Sequence, residues 1–218
     1  MFSLEVEVEH TRFSCENGYV ISSGEIIDAV SPVMSEERRE RFKNVVQNRS
    51  YSVCLVVEGL CDFGNVSAAF RSADALGVQS VHVVSCDANK SGRYRDNHHV
   101  SMGAEKWLDI ELWDSTTECF KMLKSRGYRI ATIHLGMDTV SIYDMDWSCP
   151  TAIVVGNENR ESLLMFTLRG GFGVVGFALQ YSDERMVDSF NVSVAAGILM
   201  HHAVCDRISR MYRFQVKE

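Results

Sequence analysis

Two hydrophobic periods divide the chain. From Tyr51 to Glu58 (YSVCLVVE) the side chains are rich in valine and almost continuously apolar, the pattern of a strand buried on both faces. Val81–Ser85, Tyr128–Leu135 and Thr151–Val155 repeat that pattern. Between and around them, Met34–Gln47, Val66–Leu76, Thr116–Arg126 and Val192–Arg210 carry helical spacing. Ser35 stands where an N-cap is expected, and Gly77 and Gly127 stand where helices stop. Strands alternating with helices predict an α/β fold, a parallel sheet with helices on both faces. Proline occurs only at Pro32 and Pro150, and no repeat or long linker interrupts the pattern. One α/β domain over residues 51–212 is therefore expected. It is preceded by an acidic extension (1–33) and a helical segment (34–50), and followed by a short tail (213–218).

Composition narrows this reading without redirecting it. The 218 residues are 46% hydrophobic and 23% charged, ordinary for a globular domain able to bury a core. No apolar run is long enough to span a bilayer, and Met1–His10 alternates acidic and apolar residues unlike a secretory or transit peptide. An intracellular protein, cytoplasmic or organellar, is expected. Seven cysteines at scattered positions suit reduced thiols better than a disulfide framework. No Cys/His cluster has zinc spacing, and the adjacent pairs His98-His99 and His201-His202 point in different directions, so no metal is expected. The net charge of −7 is concentrated near the start. Residues 1–40 hold nine acidic and three basic groups, leaving a nearly balanced remainder of 20 acidic and 19 basic. Phosphate binding depends on local cationic clusters, so a nucleic-acid partner stays compatible.

Three constellations carry candidate chemistry. Asn65-Val66-Ser67-Ala68-Ala69-Phe70-Arg71 follows a strand, at the carboxyl edge where α/β sheets hold ligands. Small residues Ser67, Ala68, Ala69 and Ala73 let this helix lie close to the sheet. Arg71, set among apolar and small residues, reads as a buried arginine, either paired in a structural salt bridge or reserved for a site. Its guanidinium fork suits a phosphate or a hydroxyl, although a protonated arginine is a poor base. Ala152-Ile153-Val154-Val155-Gly156-Asn157-Glu158 is a strand that ends in a glycine, allowing close backbone approach, with an acid two residues on. A strand–glycine turn with a solvated Glu158 is the plainer alternative. Asp188-Ser189-Phe190-Asn191-Val192-Ser193-Val194-Ala195-Ala196 is a polar loop opening a helix of small and β-branched residues. There Ser189 or Asn191 either caps the helix or serves a site, and the small residues suit close helix packing, within the chain or across a dimer.

Together these blocks resemble the SpoU/TrmH family of RNA ribose 2′-O-methyltransferases, the SpoU branch of the SPOUT fold, over roughly residues 35–160 and 186–212. The resemblance implies a SPOUT fold with a C-terminal deep trefoil knot, a homodimer, and S-adenosyl-L-methionine as cofactor. It assigns Arg71, Asn65, Glu158, Ser189 and Asn191 to catalysis, and Ile133, Gly156, Phe190 and Asn191 to the cofactor pocket. The basic loop residues Lys90, Arg93 and Arg95 are expected to contact RNA phosphates, with a solvated loop as the alternative. Arg207, Arg210, Arg213 and Lys217 are a second candidate contact. The implied reaction is methylation of a ribose 2′-hydroxyl, in a D-loop guanosine of tRNA. Ribosomal RNA is the alternative substrate.

The family pattern breaks between Glu161 and Arg185 (ESLLMFTLRGGFGVVGFALQYSDER), a Gly-rich apolar stretch without proline, and resumes at Met186. That break supplies a third alternative, an RNA-binding or dimerisation homologue with impaired catalysis. A nicotinamide-binding domain is disfavoured, because no GxGxxG follows a strand.

Overall fold

The computed structural model of the protein describes residues 12–14, 18–59, 62–84, 98–133, 140–156, 175–178 and 190–215. The chain divides into two compact units, Met1–Asn48 and Arg49–Glu218.

In the first unit, β1 (Arg12–Ser14) and β2 (Val20–Ser22) pair antiparallel. Helix α1 (Ser23–Val30) starts at a capping box. The Ser22 hydroxyl accepts from the Glu25 amide at 3.2 Å, and the Glu25 carboxylate accepts from the Ser22 amide at 2.8 Å. Pro32 follows in a 3-10 turn, and α2 (Glu36–Gln47) opens with Ser35 accepting from the Arg38 amide. The expected helix and its cap are thus present. The hairpin and α1 were not anticipated from hydrophobic spacing.

The second unit is built on a seven-stranded sheet. Its strands are β3 (Val53–Glu58), β4 (Ser80–Val84), β5 (Asp109–Trp113), β6 (Arg129–Ile133), β7 (Val140–Ser141), β8 (Thr151–Gly156) and β9 (Val175–Ala178). They lie in the order β5-β4-β3-β8-β6-β9-β7, and every pairing is parallel. Among the described residues, helices α3 (Phe63–Ala75), α4 (His98–Ser101), α5 (Thr116–Ser125) and α6 (Val192–Gln215) accompany it. Strand β9 falls inside the stretch that departs from the family pattern. Its residues Val175, Gly176 and Phe177 stand in register with Ala131, Thr132 and Ile133 of β6.

Strand alternation sorts the core onto the two faces. Val53, Leu55 and Val57 of β3, with Ile153 and Val155 of β8, pack with Val66, Ala69, Phe70 and Ala73 of α3 and with Ala195, Ala196, Leu199 and Met200 of α6. The opposite side chains, Cys54, Val56, Ala152 and Val154, pack with Cys119, Phe120 and Leu123 of α5. Helices therefore cover both faces, as the alternation of elements predicts. The small residues have an intrachain partner, since a Cβ on Gly197 would meet Ser72 of α3 at 3.6 Å, ordinary contact distance. Cys54 and Cys119 are free thiols. Burial pushes both up, Cys119 to about 12, so they stay protonated and unreactive.

Helix α5 ends at Gly127, whose φ of +84° is left-handed, with nothing within 4 Å of where a Cβ would stand. Gly127→Ala is therefore expected to cost about 1 kcal/mol through backbone strain alone, measured by denaturant unfolding.

His82 is fully buried. Its Nδ1 accepts from the Trp113 indole N–H at 3.1 Å, which leaves Nε2–H to donate to the Ser80 hydroxyl at 3.1 Å. Desolvation holds its pKa below 6.5, and Arg126 adds to the lowering. Glu111, 4.0 Å away, opposes it. The folded state thus binds this proton less readily than the unfolded chain. The contribution is complete above pH 6.5 and is lost as pH falls below it. His82→Gln keeps an acceptor and a donor but no titration, so its unfolding free energy should fall less steeply with acidification than that of the wild type.

Candidate active site

The sheet has its topological switch at β3 and β8. From β3 the chain moves through α3 to β4 and outward to β5. From β8 it moves the other way, to β9. Glu58 and Gly156, the last residues of these two strands, are Cα partners at that carboxyl edge, where open α/β sheets bind ligands. Gly59 turns the chain out of β3 with a φ of +63° and donates its amide to the Val84 carbonyl.

Helix α3 begins three residues earlier than its hydrophobic period, because Asp62 caps it. Asp62 Oδ1 accepts from the Gly64 amide at 2.8 Å and from the Asn65 amide at 3.3 Å. The other oxygen, Oδ2, accepts from the Asn65 side-chain Nδ2 at 3.0 Å. Asn65 Oδ1 in turn accepts from Asn191 Nδ2 at 3.0 Å, a contact across 126 residues of sequence. Asn191 caps α6, because its Oδ1 accepts from the Ser193 amide at 2.9 Å and from the Ser193 hydroxyl at 2.6 Å. The capping reading of Asn191 is therefore realised, and the same side chain also reaches Asn65. The amino-terminal ends of two helices meet here through one hydrogen-bonded chain, and their aligned peptide dipoles favour an anionic ligand.

Arg71 corrects the sequence reading. It is exposed rather than buried, and it makes no hydrogen bond or ion pair with any described residue. The core face of α3 is formed by Val66, Ala69, Phe70 and Ala73, leaving Arg71 on the outward side. The salt-bridge alternative thus finds no partner among the described residues, and the guanidinium is open to solvent and ligand. The ion pair on this helix belongs instead to Asp74, which holds Arg49.

Ile133 and Gly156 end the neighbouring strands β6 and β8, so their main-chain groups border the same edge. Gly156 is half-buried, and Phe190, beside Asn191, is 44% exposed. Glu158, Ser189, Lys90, Arg93 and Arg95 lie outside the described residues. Arg207 and Arg210 are committed elsewhere. Arg207 donates to the carbonyls of Ser52 and Cys149, and Arg210 pairs with Asp206 and Asp146, at the amino-terminal edge of the sheet.

Three features of the site escaped the sequence reading. Asp62 and Ser193 fix the asparagine pair. Glu58 is buried at the switch point, 4% exposed, with the Thr116 hydroxyl donating to Oε1 at 3.1 Å and no partner for Oε2 among the described residues. A lone acid closing an apolar strand was its only signal. Among the described residues no group of three or more His, Cys, Asp or Glu is placed to hold a metal, and no helix is long and apolar enough to cross a membrane.

Comparison with known proteins gives this geometry a context. A tRNA (guanosine(18)-2'-O)-methyltransferase from Thermus thermophilus is 29% identical over 181 residues, spanning 80% of this chain and 85% of that protein. The TrmH/SpoU tRNA modifying enzyme of Aquifex aeolicus superposes with a TM-score of 0.67 at 25% identity, over 80% of this chain and 85% of its own. An AdoMet-bound rRNA methyltransferase from Sinorhizobium meliloti shares the fold, with a TM-score of 0.59 at 21% identity over 72% of this chain and 57% of its own. Residues 52–161, half of the chain, match the model of the SpoU rRNA Methylase family, ending where the sequence pattern breaks. With the parallel sheet, its switch point and the Asn65–Asn191 junction in place, the chain belongs to the SpoU methylase family.

Proposed function

We propose that this chain methylates a ribose 2′-hydroxyl of RNA, with a guanosine of tRNA as substrate and S-adenosyl-L-methionine as donor. The observation that carries the reading is the hydrogen bond between Asn65 and Asn191, which unites two distant family motifs beside a sheet switch point. The Thermus and Aquifex relatives, named as tRNA enzymes and matched over most of both chains, support tRNA as the substrate class.

When bound, S-adenosyl-L-methionine supplies an electrophilic sulfonium methyl. The strand ends at Ile133 and Gly156 suit it, since main-chain groups lie at the sheet edge and glycine presents no side chain to obstruct approach. Phe190, beside Asn191 in the chain, offers an apolar, partly exposed surface. In methyl transfer a bond forms from the ribose oxygen to the methyl carbon, the carbon–sulfur bond breaks with its electron pair staying on sulfur to give the neutral thioether, and the hydroxyl proton passes to solvent water. Arg71 holds the phosphate next to that hydroxyl, or the hydroxyl itself, and steadies negative charge as it develops on oxygen. A permanently charged guanidinium does this without acting as the base. Asn65 and Asn191 align the ribose, and alignment alone lowers the barrier of a bimolecular transfer substantially. Glu158 and Ser189 complete the catalytic surround, and Lys90, Arg93 and Arg95 contact backbone phosphates. The knot and a homodimer belong to the same reading. The exposed Val194, Ile198 and Ile208 along α6 support a second copy as partner. A tRNA substrate places the protein inside the cell.

Transfer of labelled methyl groups to total RNA, followed by mapping of 2′-O-methyl positions, tests the proposal. Label in a tRNA guanosine is expected. Label confined to ribosomal RNA would replace the substrate, and cofactor binding by calorimetry without transfer would favour the impaired homologue suggested by residues 161–185.

A further inference from the structure

We propose that Asp62 is a positioning residue for methyl transfer, setting the direction in which the Asn65 and Asn191 amides point; the proposal rests on the transferase reading above. A carboxylate only accepts hydrogen bonds, so Asp62 Oδ2 must face the Asn65 NH₂ group. Asn65 therefore presents its carbonyl oxygen to Asn191. At the other end, the Ser193 backbone N–H only donates, so the Asn191 oxygen must face it and the Asn191 NH₂ must face Asn65. Either amide alone has two orientations of nearly equal shape. Held between an obligate acceptor and an obligate donor, the pair has one.

The consequence is chemical. Each NH₂ keeps one N–H, and the Asn65 oxygen keeps one lone pair, uncommitted among the described residues. These groups face a ribose with a defined pattern of donors and acceptors. A reversed Asn65 would put an N–H where the pattern has an oxygen.

Asp62 is built for two tasks at once, since Oδ1 caps α3 while Oδ2 orients Asn65. Gly64 leaves room for this, because a Cβ there would stand 3.0 Å from Asp62 Oδ1.

The two tasks separate by substitution. Asn and Ser cap helices about as well as Asp, so Asp62→Asn and Asp62→Ser should fold and melt like the wild type. Asp62→Asn places an NH₂ against the Asn65 NH₂ and drives Asn65 to reverse, breaking its bond with Asn191. Asp62→Ser removes the acceptor without opposing the native orientation. The expected loss in kcat is about 100-fold for Asp62→Asn and about tenfold for Asp62→Ser, with KM for RNA nearly unchanged. Equal activity in all three proteins, or losses that follow the melting temperature, would overturn the proposal. Should the wild type itself transfer no methyl group, the transferase reading fails instead, and the positioning claim is read from side-chain amide NMR. The Asn191 NH₂ resonances must shift more in Asp62→Asn than in Asp62→Ser, and identical spectra would overturn it.

Discussion

Replacing Arg71 with alanine is expected to lower methyl transfer about 1000-fold and leave folding almost untouched. The two halves of that expectation have separate causes. Arg71 stands on the outward side of α3 and is tied to no described residue, so little native structure depends on it. Alanine is also the better helix former, and a change in stability within about 0.5 kcal/mol follows. The catalytic cost is large because a preorganised charge acts where negative charge develops, a contribution of about 10²–10³ for a single donor. Arg71→Lys separates charge from shape. It retains the charge but loses the planar fork, so its rate should fall between those of the wild type and alanine. Single-turnover transfer with saturating cofactor and RNA measures the rate, and thermal melting monitors the fold. Alanine activity above a tenth of the wild type would remove Arg71 from the chemistry.

The misplacement of Arg71 in the sequence reading shows what a linear pattern conveys and what it does not. Flanked by Phe70 and small residues, it reads as buried. The same segment has apolar residues at 66, 69, 70 and 73, a helical stripe that excludes position 71. Neighbours along a helix point to different sides, and the period was the better guide. Strands β3, β4 and β8 were legible for a related reason. Burial on both faces demands continuous apolar side chains, a signal that needs no knowledge of partners. Edge strand β5 has no such demand, and its Asp109-Ile110-Glu111-Leu112-Trp113 alternation is short and half exposed. Strands β7 and β9, of two and four residues, owe their assignment to pairing rather than to local pattern. In the site, Asn65 and Asn191 were individually visible through the family motifs, while their contact depends on chain topology. Asp62 did carry a local signal, an N-cap residue just ahead of a helix, but only the folded chain reveals what its second oxygen does.

That contact yields the other large expectation, which concerns the pair rather than either residue. Asn65→Ala and Asn191→Ala are each expected to lower transfer about 100-fold, and the double variant should lose little more than the worse single. Residues that act as one hydrogen-bonded unit are strongly non-additive, and a coupling of about 1–3 kcal/mol is typical of groups in contact. Independent roles would instead multiply to about 10⁴-fold, and that outcome would show that the hydrogen bond between them has no part in the rate. Stability distinguishes the two single variants, because Asn191 also caps α6 and its removal should cost about 1 kcal/mol. Asn191→Ser resolves the remaining ambiguity. A serine caps the helix but is too short to replace the amide that reaches Asn65, so it should restore the melting temperature without restoring transfer. Recovery of both together would mean that Asn191 serves the site only by holding the start of the helix in place.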